Sequence, residues 1–253
     1  MASAYYLNKK AFQVTIIDSG TIENNCSFGN MGYLSPSHYV PLASPGIVAE
    51  GLSYVLNSKS PFYIKPRLDM DFFKWAWKFY RSSNQKTVEK NAPSLEDLLK
   101  LSRHLMDEIR ADIGDTFDME TNGCMMMCHS KAAFEKELKV AEGGKKYGLN
   151  TVILNREELQ KYEPDVELDI YGGVLFTDDA HNHPGKFMHA MKNYLEKAGV
   201  RFQLNTTVTG FKKSASGVET VNTDHGDFQG DYTILSAGSW LGKLTHKLGH
   251  PLM

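Results

Sequence analysis

Apolar residues recur in two rhythms along this chain. Residues 2–10 (ASAYYLNKK) carry alanine, tyrosine and leucine at helical spacing. Residues 12–18 (FQVTIID) form a short apolar run that predicts a buried strand ending on the carboxylate of Asp18. A helix that feeds a strand ending in an acid has the order of the second half of a dinucleotide-binding βαβ unit. In such a unit the acid takes the ribose hydroxyls about 20 residues after a G-x-G-x-x-G turn. The strand and glycines that open the unit are absent before Ala2, so the stretch reads as a fragment, expected to hold a dinucleotide weakly by itself.

Residues 19–36 are small and polar, and Gly29 and Gly32 within them allow a ligand close to the backbone. Residues 37–66 are proline-rich with little periodicity and predict an irregular crossing between two domains. Residues 69–81 place Phe72, Trp75, Ala76 and Phe79 on one helical face. A second helix, opened by Ser94 near Asp97, would bury Leu95, Leu98, Leu99, Leu105, Met106, Ile109 and Ile113. Both stripes read most simply as core packing, with an aromatic substrate box on the first as the alternative. Strands are then expected at 123–129, 151–154 and 172–176. Helices are expected at 131–147, closed by Gly148, and at 156–162, capped at Asn155 or its neighbour.

The last third returns to α/β alternation. Pro184 suits the first turn of a helix reaching about residue 198, whose buried stripe is Phe187, Met191 and Leu195. A strand at 200–204, a hairpin, and a buried strand at 232–236 (YTILS) follow, the last opening onto Ala237, Gly238, Ser239 and Trp240. The expected architecture is α/β with an α+β insertion. Segments 1–45 and 184–253 build one domain and residues 46–183 the inserted one.

Composition narrows the classes. The chain has 253 residues, 42% of them hydrophobic, which suffices for a full core, and a net charge of -2, which gives no electrostatic case for nucleic acid or an anionic membrane. No apolar run is long enough to span a bilayer and no charged-then-apolar leader is present, so a cytoplasmic location, extending to the inner face of a membrane, is expected. An odd cysteine count, three, argues against a disulfide framework, and the Cys124/Cys128 spacing also suits a strand. His181 and His183 beside Asp178 and Asp179 have the chemistry of metal ligands, but Pro184 breaks the strand that would align them; no metal is expected. The N-x-S/T matches at Asn25 and Asn205 read as accidental without a secretory signal.

Taken in order, ASAYYLNKKAFQVTIID, CSFGNMGYLSP, GGVLFTDDAHNHP, FMHAMKNYLEKAGVRFQLNTTVTGF and DYTILSAGSWLGKL resemble the FAD-dependent D-amino-acid oxidase superfamily. The likeness is nearest to bacterial D-amino-acid dehydrogenases, with glycine and sarcosine oxidases as relatives. It implies a glutathione-reductase-like FAD-binding domain with an inserted mixed-sheet substrate domain. It also implies roles: Asp18 on the adenosine ribose, Ser27, Asn30, Gly32, Tyr33 and Leu34 around the pyrophosphate and flavin, Val208 on adenine through its backbone, and Ala237, Gly238 and Ser239 beside the phosphates or ribityl chain. The implied reaction is oxidative deamination of a D-amino acid, with electrons passing to a quinone or to oxygen. Catalytic residues are not identified. A substrate-clamping arginine and a closing glycine-rich FAD segment usually lie further on than Met253.

Two other readings belong beside this one. A glycine- or sarcosine-type amine oxidase shares the same segments, and a non-catalytic truncated chain would keep the insertion only as an interaction surface. A nicotinamide-dependent dehydrogenase also uses an acid like Asp18, but it leaves CSFGNMG and DYTILSAGSW unexplained. Oligomeric state has no signature in the sequence.

Overall fold

A computed structural model describes residues 1–54, 68–215 and 217–250, without the side chains of residues 50 and 52–54. The chain opens with α1 (Ala2–Lys9) and β1 (Thr15–Ile17), then a turn-rich loop leads to β2 (Tyr33–Leu34) and α2 (Ile47–Tyr54). The expected crossing at 37–66 thus contains a helix, and its later part lies outside the described residues. Next come α3 (Met70–Ser82), α4 (Gln85–Ile113), β3 (Cys124–Cys128), α5 (Lys131–Lys145), β4 (Thr151–Asn155) and α6 (Arg156–Gln160). The chain continues through β5 (Gly172–Phe176), β6 (Ala180–His181), α7 (Pro184–Lys197), β7 (Arg201–Gln203), β8 (Val208–Ser214), β9 (Gly217–Thr223) and β10 (Gly226–Gln229). A 3-10 turn (Gly238–Trp240) and α8 (Leu241–Lys247) follow.

Two compact units emerge. The first comprises Met1–Met31, Thr116–Asp118 and His183–Met253; the second comprises Gly32–Asp115 and Met119–Asn182. In the first unit β1 pairs in parallel with β7, Thr15 opposite Arg201, as a βαβ arrangement requires. Tyr5 of α1 is fully buried and meets the ring of Tyr194 on α7 at 5.8 Å, while Asn8 Nδ2 donates to the Ala198 carbonyl at the end of that helix. Pro184 occupies the first turn of α7, where its missing N–H costs nothing, and Met188, Met191 and Leu195 form the buried stripe. Strands β8, β9 and β10 make an antiparallel meander.

In the second unit β5 is the centre of the antiparallel order β3-β5-β4 and is buried at every position. Val174 and Phe176 pack with Ala141 and Phe134 of α5, while Leu175 joins Leu154, Leu159, Leu168 and Ile170 on the opposite face. Fully burying one such side chain contributes about 1.5–3 kcal/mol, so this two-sided strand is the unit's main anchor. Gly173 is required there because a Cβ would come within 2.7 Å of the Met126 carbonyl. The described sheet is antiparallel throughout.

Three sequence expectations change. α4 begins at Gln85, capped by Asn84, whose side chain accepts from the Thr87 amide at 3.0 Å, and it runs through Pro93 without opening at Ser94. Of its expected stripe Ile109 is buried, whereas Leu98 is exposed. α3 buries none of its residues, so its stripe is not core packing: Phe72, Trp75 and Phe79 stack chiefly on one another. Finally, residues 232–236 are extended without a ladder partner among the described residues, and Tyr232 and Ile234 are exposed. Strand propensity supplies a conformation, but a ladder also needs a neighbour.

Candidate functional site

The first unit carries several ligand-type features, the first of them at the carboxyl end of β1. The Asp18 amide donates to the Gln203 carbonyl and the Asp18 carbonyl accepts from the Thr206 amide, fixing the residue between β7 and the approach to β8. Its Oδ1 accepts from the Gly20 amide at 2.9 Å, and among the described residues no donor reaches Oδ2. Asp18 is exposed and lies near the head of α1. An exposed carboxylate with an open oxygen, beside the positive end of a helix, suits vicinal hydroxyls with a phosphate nearby.

Val208 opens β8 two residues past Thr206, so the structure brings it close along the chain to the Asp18 anchor. Lys247 Nζ donates to the carbonyls of Thr209 (2.8 Å) and Val208 (3.4 Å), so a ligand donor at Val208 would compete with that lysine. Gly238 takes a left-handed φ of 52° with open space where a Cβ would stand, flanked by half-buried Ala237 and exposed Ser239. Ser27 and Asn30 lie in the loop after β1, where Asn30 Nδ2 donates to the Ser27 carbonyl at 2.8 Å and Asn25 orders the preceding turn by accepting from the Phe28 amide. These features fit the binding half of a dinucleotide cofactor such as FAD.

Gly32, Tyr33 and Leu34 belong to the second unit. Gly32 adopts φ 73°, and β2 pairs antiparallel with β6, which sets Tyr33 opposite His181 with ring centroids 6.5 Å apart. Immediately after β2 stands a cluster that composition does not reveal. Asp179, 1% exposed, accepts from the Ser37 amide (3.0 Å) and the Ser37 hydroxyl (2.6 Å), and that hydroxyl lies 3.0 Å from His38 Nδ1 on the surface. Burial raises the Asp179 pKa against the lowering pull of the Ser37 bonds and His38. Nearby, burial also raises Glu137 and Cys124, each feeling a charge of this group.

The histidines and acids at 178–183 serve separate partners. Asp178 accepts from the Asn150 amide and side chain, Asp179 holds Ser37, His181 lies 4.0 Å from Glu120, and His183 caps α7 by accepting from the Lys186 amide. Among the described residues no three His, Cys, Asp or Glu side chains converge as metal ligands. Cys124 and Cys128 are free thiols, and burial pushes both pKa values up, away from the thiolate that metal or redox chemistry needs.

A family model described as FAD dependent oxidoreductase (DAO) matches residues 1–253. The chain is similar to D-amino acid dehydrogenase of Helicobacter pylori, with 31% identity covering 94% of this chain and 57% of the relative. It is also similar to D-amino acid dehydrogenase of Bradyrhizobium diazoefficiens, with 28% identity covering 98% of this chain and 60% of the relative. Among solved structures it matches glycine oxidase from Geobacillus kaustophilus with a TM-score of 0.70 and 15% identity, covering 97% of this chain and 54% of that one. L-amino acid deaminase from Proteus myxofaciens, solved in complex with anthranilate, matches with a TM-score of 0.67 and 16% identity over 98% of this chain and 45% of that one. The structural likenesses establish the fold. The chain spans less than two thirds of the length of these relatives.

Proposed function

Because the chain belongs to the DAO family of FAD-dependent oxidoreductases, we propose that the full-length protein binds FAD through its first unit and oxidatively deaminates a D-amino acid, the second unit being the substrate domain. The observation that carries the cofactor half is Asp18 at the carboxyl end of β1, with an open Oδ2 beside the head of α1. The dehydrogenase relatives support the substrate class.

In this reading Asp18 holds the ribose hydroxyls and the small residues Ala237, Gly238 and Ser239 leave room for phosphates or ribityl. Ser27 and Asn30 lie along the cofactor's middle, and Val208 meets adenine. Bound FAD would supply the two-electron acceptor for oxidation of the substrate amine to an imino acid, which would hydrolyse to a 2-oxo acid and ammonium. Electrons then pass to a quinone, with the protein peripheral to a membrane, or to oxygen.

Anaerobic mixing of the FAD-loaded protein with D- and L-amino acids, glycine, sarcosine and proline tests the proposal. Bleaching of the flavin by at least one D-amino acid is expected. Bleaching only by glycine, N-methylated or cyclic amines would move the assignment to the glycine or sarcosine oxidase type. No bleaching by any of them would leave the interaction-module reading in its place.

A further inference from the structure

One face of α4 borders an open cavity of about 400 Å³ on the second unit. Lys100, Arg103 and Asp107 stand on the α4 wall at helical spacing, and Gly148 and Asp178 form part of the opposite wall. Both cations are held in place. Lys100 Nζ lies 2.6 Å from Oε1 of Glu96, one helical turn earlier and only 4% exposed, and it also donates to the Tyr147 carbonyl. A carboxylate is expensive to bury, and the partner that this one orients is the cavity's lysine. Gly148, with φ 77°, keeps the facing wall low, since a side chain there would stand 3.7 Å from Lys100 Nζ. The Arg103 side chain is 17% exposed, and its Nη1 lies 2.5 Å from Asp107 Oδ2 without the alignment of a hydrogen bond. Nε and Nη1 are sealed from solvent, so Nη2 is the guanidinium edge left to the cavity. Across from it Asp178 is half-buried and oriented by the Asn150 amide (2.6 Å) and side chain (3.0 Å), which fill about two of its four acceptor positions.

We propose that this cavity binds a free amino acid as its zwitterion, the carboxylate on Lys100 and Arg103 Nη2 and the ammonium on Asp178. Lys100 and Arg103 balance Asp107 and Asp178, so the lining discriminates against a ligand of either single charge: an anion meets the two carboxylates, a cation the lysine and the arginine. A ligand carrying both charges satisfies the two walls at once. The guanidinium edge and the ammonium of Lys100 give a carboxylate charge-assisted hydrogen bonds, and their anchoring by Asp107 and Glu96 lowers the ordering cost of binding. The volume falls within the range of about 300–1,000 Å³ usual for small-molecule sites and leaves room for a side chain. The charges specify a zwitterion; its identity as an amino acid rests on the reading of the second unit as the substrate domain.

The test is equilibrium dialysis of the full-length protein against radiolabelled 2-methylalanine, a zwitterion that has no Cα–H and so cannot give up hydride. Saturable binding is expected. Isobutyrate, which lacks the ammonium, and isopropylamine, which lacks the carboxylate, should compete about ten-fold more weakly or worse, the size of one lost charge-assisted hydrogen bond. Asp178→Asn, which keeps an acceptor for Asn150, and Arg103→Gln should each weaken binding by about ten-fold or more, with thermal unfolding confirming that each variant is folded. Absence of saturable binding by the unmodified protein overturns the proposal. So does binding that both folded variants leave unchanged, which gives the ligand to another site, or competition by isobutyrate equal to that of 2-methylalanine, which reduces the cavity to a carboxylate site. Flavin bleaching reports separately on the substrate assignment: bleaching by a D-amino acid without dialysis binding keeps that assignment and removes this site.

Discussion

The hydroxyl of Ser37 donates to Oδ2 of Asp179 at 2.6 Å, joining residues 142 positions apart and closing the segment after β2 onto the end of β5. The same carboxylate takes the Ser37 amide, so a single buried acid satisfies two donors, and the hydroxyl connects it to His38 at the surface.

Removing that acceptor is therefore expected to be costly. Asp179→Ala leaves a buried N–H and a buried hydroxyl without their partner and should destabilise the protein by about 1–3 kcal/mol for each group left unsatisfied. Asp179→Asn keeps an acceptor and separates charge from bonding. Because burial raises the pKa of Asp179 above its ordinary 3.8, the native state holds a proton that the unfolded chain has released across that window. This residue's contribution to stability thus falls as pH rises from the ordinary value to the raised one. Urea unfolding across the acid range should show the unmodified protein losing stability relative to Asp179→Asn as pH climbs. Parallel curves would mean that Asp179 titrates as an ordinary acid.

Asp18→Ala in the full-length protein should weaken FAD binding by about ten- to a thousand-fold. Two charge-assisted hydrogen bonds of about 1.5–3 kcal/mol each are lost, partly offset by water at an exposed position. Titration of flavin fluorescence reads the change. An unchanged dissociation constant would reduce Asp18 to a turn residue that holds the Gly20 amide.

Gly143→Ala reverses the usual rule for helices. Alanine in the interior of α5 should gain about 1 kcal/mol over glycine, yet its Cβ would collide with Tyr39 Oη, whose hydroxyl donates to the Val140 carbonyl at 2.7 Å. Overpacking costs about 1–3 kcal/mol and the lost hydrogen bond about 1 more, so net destabilisation is expected. Tyr39→Phe removes the obstructing oxygen. If thermal melts show Gly143→Ala equally harmful in the Tyr39→Phe background, the collision is not the cause.

Turnover by the full-length protein is expected to survive chelation. His181, His183, Asp178 and Asp179 each face a different partner, and hydride transfer draws on the cofactor's own chemistry. Activity lost to a chelator and recovered with added zinc would show that a metal takes part.

Local signals were the legible ones. Asn155 caps α6 with a full capping box, Pro184 starts α7, and the run ending at Asp18 holds a strand, though a half-buried one of Thr15–Ile17 with Phe12 exposed, because caps, a fixed proline φ and short apolar runs act within a few residues. Ser94 has cap chemistry but lies inside α4, which is capped one turn and more earlier by Asn84, forgoes the hydrogen bond that Pro93 cannot donate and continues. Periodicity identified the aromatic face of α3 but not what it meets, since an apolar stripe is written the same way for a core and for a surface. Residues 232–236 have strand chemistry without a described neighbour, and the Ser37, His38 and Asp179 cluster depends on a closure too distant for any local pattern to announce.

The parallel pairing of β1 with β7 also sets an order of events during synthesis. Asn8 finds its acceptor at Ala198, 190 residues later, and Thr15 finds its ladder partner at Arg201. The hairpin contacts of β8 and β9 close over a few residues, and the β3-β5-β4 sheet is complete once Phe176 has emerged. Loop-closure entropy and ribosomal timing therefore act together: the inserted unit can collapse while the opening strand is still unpaired. The apolar TII of β1 thus keeps the edge that β7 will take unpaired until residues 201–203 have emerged. Slow translation between residues 180 and 203 should lengthen that wait and increase demand for a chaperone on β1.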